Sequence, residues 1–282
     1  MVLSFYSLGG DTVTKLLIAC VAENTEEFHF RTITLFKTIQ KFGGNLANAK
    51  LAAIFIDDVE ELVAEQLKSM GVIVDVTKPY GENFQRNCNK IRMLEIDEDY
   101  DVLVALDCDI AVTRDFSSEI STDEIRVCDS LIDPLTLSEW EYVYDYFNLP
   151  IPENERKIHA NSSVLFIPKK YVKPLRDIWL HYCDLVGKAF YSNDQWTKLG
   201  EHIWFTEPFA LSLAYVDKGI ERDLLPAEFH IHINGSHQSW ANKLHPYFLH
   251  YHHNITEDWK LKTTGMEIPD QYVKMVNNLL EE

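Results

Sequence analysis

The sequence predicts an α/β fold with a mostly parallel, doubly wound central sheet, helices on both faces and an elaborated C-terminal half. Three observations lead there. Short runs rich in Val, Ile and Leu alternate with helical patterns across residues 15–110, the rhythm of strand–helix–strand units. The runs are continuous rather than alternating in polarity, as in strands covered on both faces. Two aspartates, Asp107 and Asp109, stand at the end of the cleanest run, where ligands of open α/β sheets bind.

Residues 15–22 (KLLIACVA) are the first expected strand. Asn24 or Thr25 then caps a helix with Phe28, Ile33, Phe36 and Ile39 roughly on one face, and Gly43-Gly44 stops it. Residues 51–56 read as the second strand. Asp58 and Glu61 have capping-box spacing, and Val59, Leu62, Val63, Leu67 and Met70 continue with helical spacing to Gly71. Residues 72–76 are a third strand, residues 77–83 a loop and residues 84–97 a helix. Residues 101–110 (DVLVALDCDI) are read as one strand whose extended backbone projects Asp107 and Asp109 to the same side, with Cys108 pointing away.

In the second half, residues 131–149 are aromatic-rich and expected to be helical, and residues 160–168 form a strand. Residues 171–187 read as a helix with Pro174 in its first turn. Thr206 is expected to cap a helix that contains Pro208. Residues 228–234 and 246–253 look like strands, and residues 269–282 a terminal helix. With no internal repeat, low-complexity tract or linker, one domain over residues 1–282 is expected.

Composition narrows the function. The hydrophobic fraction is 46%, ample for a packed core. A formal charge of −18 argues against nucleic acid as partner, because that affinity comes from Lys and Arg on phosphates. The five cysteines form no C-x-x-C pair, which suits a reducing cytosol. No signal peptide and no apolar run of about 20 residues is visible, so a cytoplasmic protein without a transmembrane segment is expected.

A glycine-rich G-x-G-x-x-G turn and a P-loop are both missing. Two hard oxygen donors at Asp107 and Asp109 suit Mg²⁺ or Mn²⁺ holding phosphate oxygens; a solvated strand end is the plainer reading. Ala22, Glu23 and Asn24 close the first strand and offer polar groups for a base or ribose, although Asn24 serves equally as a helix cap. Asp75 offers an acceptor for a ribose hydroxyl, or is a solvated loop residue. Arg86, Lys90 and Arg92 are positive charges in an acidic chain; Arg86 and Lys90, four apart, share a helix face toward a diphosphate or toward solvent. Seven of the 11 histidines fall between His230 and His253. His250 and His252 share a strand face, and a neutral imidazole there completes a carboxylate metal site or is simply a satisfied strand residue. Asp194, Gln195 and Asn161 suit recognition of sugar hydroxyls.

In their order, these features resemble the GT-A-fold nucleotide-sugar glycosyltransferases, most closely the family 8 group of glycogenin and the bacterial lipopolysaccharide galactosyltransferases. The matching stretches are Ala22-Glu23-Asn24, Asn89-Lys90-Ile91-Arg92, Leu106-Asp107-Cys108-Asp109, Asn161-Ser162-Ser163-Val164, Asp194-Gln195 and the late His250. Ser163 replaces the family's usual Gly. The closing His-Phe-x-Gly-x-x-Lys-Pro-Trp pattern is eroded to His250-Tyr251-His252-His253-Asn254 with Trp259-Lys260 beyond, so Lys260 or His253 stands in for the family's Lys, or neither does. The resemblance implies a GT-A-like fold with a nucleotide-binding half over about 15–110 and an acceptor- and sugar-binding half over about 111–282. It also implies Mn²⁺ or Mg²⁺ on Asp107, Asp109 and His250 (or His252), a nucleoside-diphosphate sugar donor, Asp194 and Gln195 beside the donor sugar, and transfer with retention to an unknown acceptor. Two alternatives remain. One is a haloacid-dehalogenase-like phosphohydrolase, which keeps Asp-x-Asp on its first strand and prefers Thr or Val where this chain has Ala111. The other is a catalytically silent nucleotide- or carbohydrate-binding protein.

Overall fold

The computed structural model describes residues 14–81, 84–130, 133–192, 196–233 and 239–282. In chain order its strands and helices are β1 (Leu16–Glu23), α1 (Glu26–Phe42), β2 (Lys50–Ile56), α2 (Glu61–Ser69), β3 (Val72–Thr77), β4 (Val102–Leu106), β5 (Ile110–Val112) and β6 (Ile125–Val127). There follow α3 (Leu137–Tyr146), β7 (Val164–Pro168), α4 (Lys169–Ser192), α5 (Thr206–Asp217), β8 (Arg222–Leu224), β9 (Ile231–His232), β10 (Phe248–His250) and α6 (Glu267–Glu281).

A 7-stranded sheet has the order β3-β2-β1-β4-β7-β6-β8. The first four strands in sequence are mutually parallel. Beyond β4 the pattern changes: β7 runs antiparallel to both β4 and β6, and β6 lies parallel to β8. Continuous apolar runs become central strands because both faces are covered. On β1 and β4, Leu17, Ala19, Leu103 and Ala105 pack into the layer with α3, α4 and α5. Ile18, Cys20, Val104 and Leu106 face the opposite layer with α1 and α2. A smaller 3-stranded sheet, β5-β10-β9, carries a third cluster with α6. No helix among the described residues is long and apolar enough to cross a membrane.

Several local expectations need correction. Residues 101–110 are not one strand: β4 ends at Leu106, the chain turns over 107–109, and β5 joins the smaller sheet. Of the two caps expected for α1, Thr25 is the one that forms, accepting from the Phe28 amide. The Asp58–Glu61 capping box does not form; Asp58 instead accepts from the adjacent Val59 amide, and α2 starts without a side-chain cap. A capping box does occur at Thr136 and Glu139, opening α3. The helix expected over 84–97 is a run of 3-10 turns, Arg86–Glu95. Helix α4 starts earlier than expected, so Pro174 lies beyond its first turn; the carbonyl left without a donor belongs to exposed Lys170. Thr206 is the first residue of α5 rather than its cap, and its hydroxyl donates to the Ile203 carbonyl. The two late strands shorten to β9 and β10, because Ala227–Phe229 coils after Pro226 and His252 turns out of the strand at φ +47°.

Candidate active site

The C-terminal ends of β1 and β4 open into a cleft of about 260 Å³. Ala22 and Glu23 at the end of β1, Arg86 and Lys90 from the 3-10 run, and Asp107 and Asp109 all line it. The backbone ties the two aspartates to different sheets. The Asp107 amide donates to the Ser163 carbonyl just before β7, whereas the Asp109 carbonyl accepts from the Tyr251 amide just after β10.

Around Asp107 the chemistry is that of a buried ion cluster. Lys90 Nζ lies 2.8 Å from Asp107 Oδ1 and 3.5 Å from Glu207 Oε2, and donates to Ser162 Oγ at 3.1 Å. Ser162 in turn donates to Glu207 at 2.8 Å. Burial works to lower the Lys90 pKa, but the Asp107 and Glu207 carboxylates outweigh it and hold it above the ordinary lysine value. Glu207 is 2% exposed. Burial pushes its carboxyl up to about 7 against the pull of Lys90, and its Oε1 has no hydrogen-bond partner.

Around Asp109 the neighbours are imidazoles. His250 Nε2 is 3.0 Å from Asp109 Oδ1, and His252 Nδ1 is 3.6 Å from Oδ2. The two rings stack with centroids 3.9 Å apart. Burial opposes ionisation of Asp109, yet His250 and His252 outweigh it and hold the carboxyl well below the usual carboxylate range. The His252 pKa falls to about 4, through burial and then through His250. A carboxylate oxygen of Asp109 and ring nitrogens of His250 and His252, all within 4.8 Å of one another, make a donor set that fits a divalent ion of the Mn²⁺ class. Arg31 closes this side. It reaches from α1 to the Glu27 carboxylate, the His252 carbonyl at 3.0 Å and His253 Nδ1 at 3.1 Å.

Not every expected residue reaches the cleft. Asn24 stands just behind it, its Oδ1 bonded to the Glu60 amide and to His29. Arg86 sits at the mouth, 3.2 Å from Glu23 and largely exposed. Asp75 and Arg92 line a different groove beside β3; Arg92 is held by Glu95, the Lys78 carbonyl and the Tyr80 ring. Lys260 pairs with Glu281 of α6 and does not line the cleft. Asn161 lines a neighbouring cavity of about 310 Å³ with Ser162, His230, His232, His250 and His252. Asp194 and Gln195 lie outside the described residues.

Three participants escaped the sequence reading. Glu207 had a visible signal, a carboxylate in the first turn of a helix that is mostly apolar until Asp217 (TEPFALSLAYVD). Arg31 had a weaker one, a single cation among the apolar positions of α1. His230 was visible only as part of the histidine-rich stretch.

Against solved structures, the chain superposes on the galactosyltransferase LgtC in complex with donor and acceptor sugar analogues with a TM-score of 0.59, at 13% identity, covering 93% of this chain and 95% of that one. The architecture is a GT-A fold. GlyE of Streptococcus pneumoniae TIGR4, another glycosyltransferase, matches at TM-score 0.54 and 16% identity, over 94% of this chain and 62% of that one. The bifunctional glycosyltransferase WbbM matches at TM-score 0.58 and 11% identity, over 96% of this chain. The chain spans about half of WbbM's length (51%). No family model and no curated relative matches the sequence. Identities this low establish the fold alone.

Proposed function

We propose that this GT-A protein is a metal-dependent glycosyltransferase that moves a sugar from a nucleoside-diphosphate sugar to an acceptor, with retention of configuration. The observation that carries it is the convergence of Asp107, Asp109, His250 and Lys90 at the carboxyl ends of β1 and β4. In an open α/β sheet this is the ligand-binding edge. The nucleotide half spans about 15–110 and the acceptor half about 111–282, within one unit. Ala22, Glu23 and Arg86 face the nucleotide. Asp107 and Asp109, with His250 or His252, hold Mn²⁺ or Mg²⁺. When bound, such an ion neutralises charge on the leaving diphosphate.

The chain's own groups divide the remaining work. Lys90 offsets the charge of Asp107 across a 2.8 Å ion pair inside the cleft. Glu207 and Ser162 fix the ammonium from behind. Arg86, at the mouth, is free to leave Glu23 for a diphosphate oxygen, a charge-assisted contact. Asp194 and Gln195 are assigned to the donor sugar by the resemblance. The five cysteines are buried and unpaired, which agrees with a cytoplasmic setting.

Thermal melting with nucleoside diphosphates and nucleotide sugars, with and without Mn²⁺, tests this. A ligand at about 100 times its Kd stabilises the native state by about 2.7 kcal/mol. A Mn²⁺-dependent rise with one nucleotide is expected, and Asp107→Asn should abolish both that rise and Mn²⁺-dependent sugar transfer while circular dichroism shows the variant folded. Transfer undiminished in Asp107→Asn would remove the metal assignment. Binding without any transfer or donor hydrolysis would make the chain a silent binding protein.

A further inference from the structure

Among the described residues three cations line the cleft: Arg31, Arg86 and Lys90. Lys90 is held between Asp107 and Glu207, and the Arg86 side chain is 80% exposed at the mouth. Arg31 differs from both. It lies in the second turn of α1 and is 5% exposed. Its guanidinium carbon sits 5.2 Å from the centre of the Phe28 ring, which lines the same cleft. Its contacts with Glu27, the His252 carbonyl and His253 all run through one nitrogen, Nη2, which is 2.5 Å from Glu27 Oε1 and 3.0 Å from the carbonyl oxygen. Nε is also buried and has no hydrogen-bond partner among the described residues.

The side edge of a guanidinium, Nε with Nη2, presents two N–H donors that match two oxygens of one phosphoryl group. Glu27 takes only one of them. A buried N–H without an acceptor is costly, so this edge is half satisfied, and the Glu27 side chain, 35% exposed, can turn out to water. The charge is also placed for an anion. After burial and the two histidines, Arg31 is the next charge acting on the Asp109 carboxyl. A fixed cation there opposes a metal ion on Asp109 and favours an anion beside it. We propose that Arg31 clamps the leaving diphosphate from the inner wall of the cleft, exchanging its one-pronged contact with Glu27 for a two-pronged contact, through Nε and Nη2, with oxygens of one phosphoryl group. Glu27 is then a placeholder that holds the guanidinium and competes with the incoming anion. Buried in the wall, Arg31 is screened less by salt than Arg86. The assignment rests on the transferase reading for the identity of the ligand as a diphosphate.

The test uses the full chain. Inorganic pyrophosphate is titrated by calorimetry with Mn²⁺ present, and Mn²⁺ alone is followed by electron paramagnetic resonance. Arg31→Gln should weaken pyrophosphate binding by about tenfold or more, and Arg31→Lys, a point charge without the fork, should recover only part of it. Mn²⁺ alone should bind Arg31→Gln as tightly as the parent or tighter, whereas a merely structural role would loosen both ligands. Glu27→Gln frees the guanidinium and should tighten pyrophosphate binding by about two- to fivefold. Glu26→Gln removes the same charge from the exposed neighbouring residue and should change the affinity less. This pair decides the matter if Arg31→Gln does not fold. The proposal falls if Arg31→Gln binds pyrophosphate like the parent, if it loses Mn²⁺ along with pyrophosphate, or if Glu27→Gln binds pyrophosphate no better than Glu26→Gln. Failure of the transferase reading would show in the parent chain itself, as no Mn²⁺-dependent binding of pyrophosphate or of any nucleoside diphosphate, and would remove both.

Discussion

Burial and a lysine pull the Glu207 carboxyl in opposite directions. Burial wins, and the pKa stands at about 7 against an ordinary value of 4.5. A carboxyl raised on folding stabilises the native state fully below pH 4.5, and that contribution is lost as pH climbs through about 7. The span corresponds to about 3 kcal/mol, an order-of-magnitude figure. Glu207→Gln keeps an amide against Ser162 and removes the titration. Its denaturation free energy should therefore fall less steeply than the parent's between pH 4.5 and 7; equal slopes would place the pH dependence elsewhere. At this scale the sequence was half legible. Asp107, Asp109 and His250 stood out because carboxylates after an apolar run and histidines in a polar stretch are locally odd. Glu207, Arg31 and His230 owe their importance to partners 117, 221 and 20 positions away for Lys90, His252 and His250, and no local pattern reports such pairings.

Elements were legible where their causes are local. Strand β4 could be read because all five of its residues are apolar and buried. It also sits between β1 and β7 in the middle of the sheet. Leu103→Ala should cost about 2–5 kcal/mol in chemical denaturation, from lost burial and the cavity left behind. Val76→Ala on the edge strand β3, where the side chain is 44% exposed, should stay within about 0.5 kcal/mol. Comparable losses at the two sites would contradict the central placement of β4. The strands β6 and β8 were missed: each is 3 residues long and exists only through pairing with distant segments. Likewise residues 101–110 carry no local mark of a change of sheet, since apolar residues on both sides of the break suit either sheet.

Net charge acts on the whole molecule. At −18, the folded chain carries a self-repulsion that dissolved salt screens over a Debye length of about 10 Å at 0.1 M. Its melting temperature should rise between about 0.01 M and about 0.3 M NaCl, because compaction brings like charges together. A flat or falling response would mean that local pairs such as Lys15–Asp99 and Lys50–Glu98 dominate instead. The overall architecture was the most legible level of all, since the alternation of strands and helices through β4 sets the winding before any contact is considered.

The turn over residues 107–109 is also a seam. Asp107 is anchored to the neighbour of β7 and Asp109 to the end of β10, so the spacing between the carboxylates gauges how the large sheet sits on the small one. Substitutions deep in the packing between α1 and β5, far from any ligand atom, would then act as a tuning screw on cation affinity. Conversely, a bound ion would clamp the two sheets into a single register.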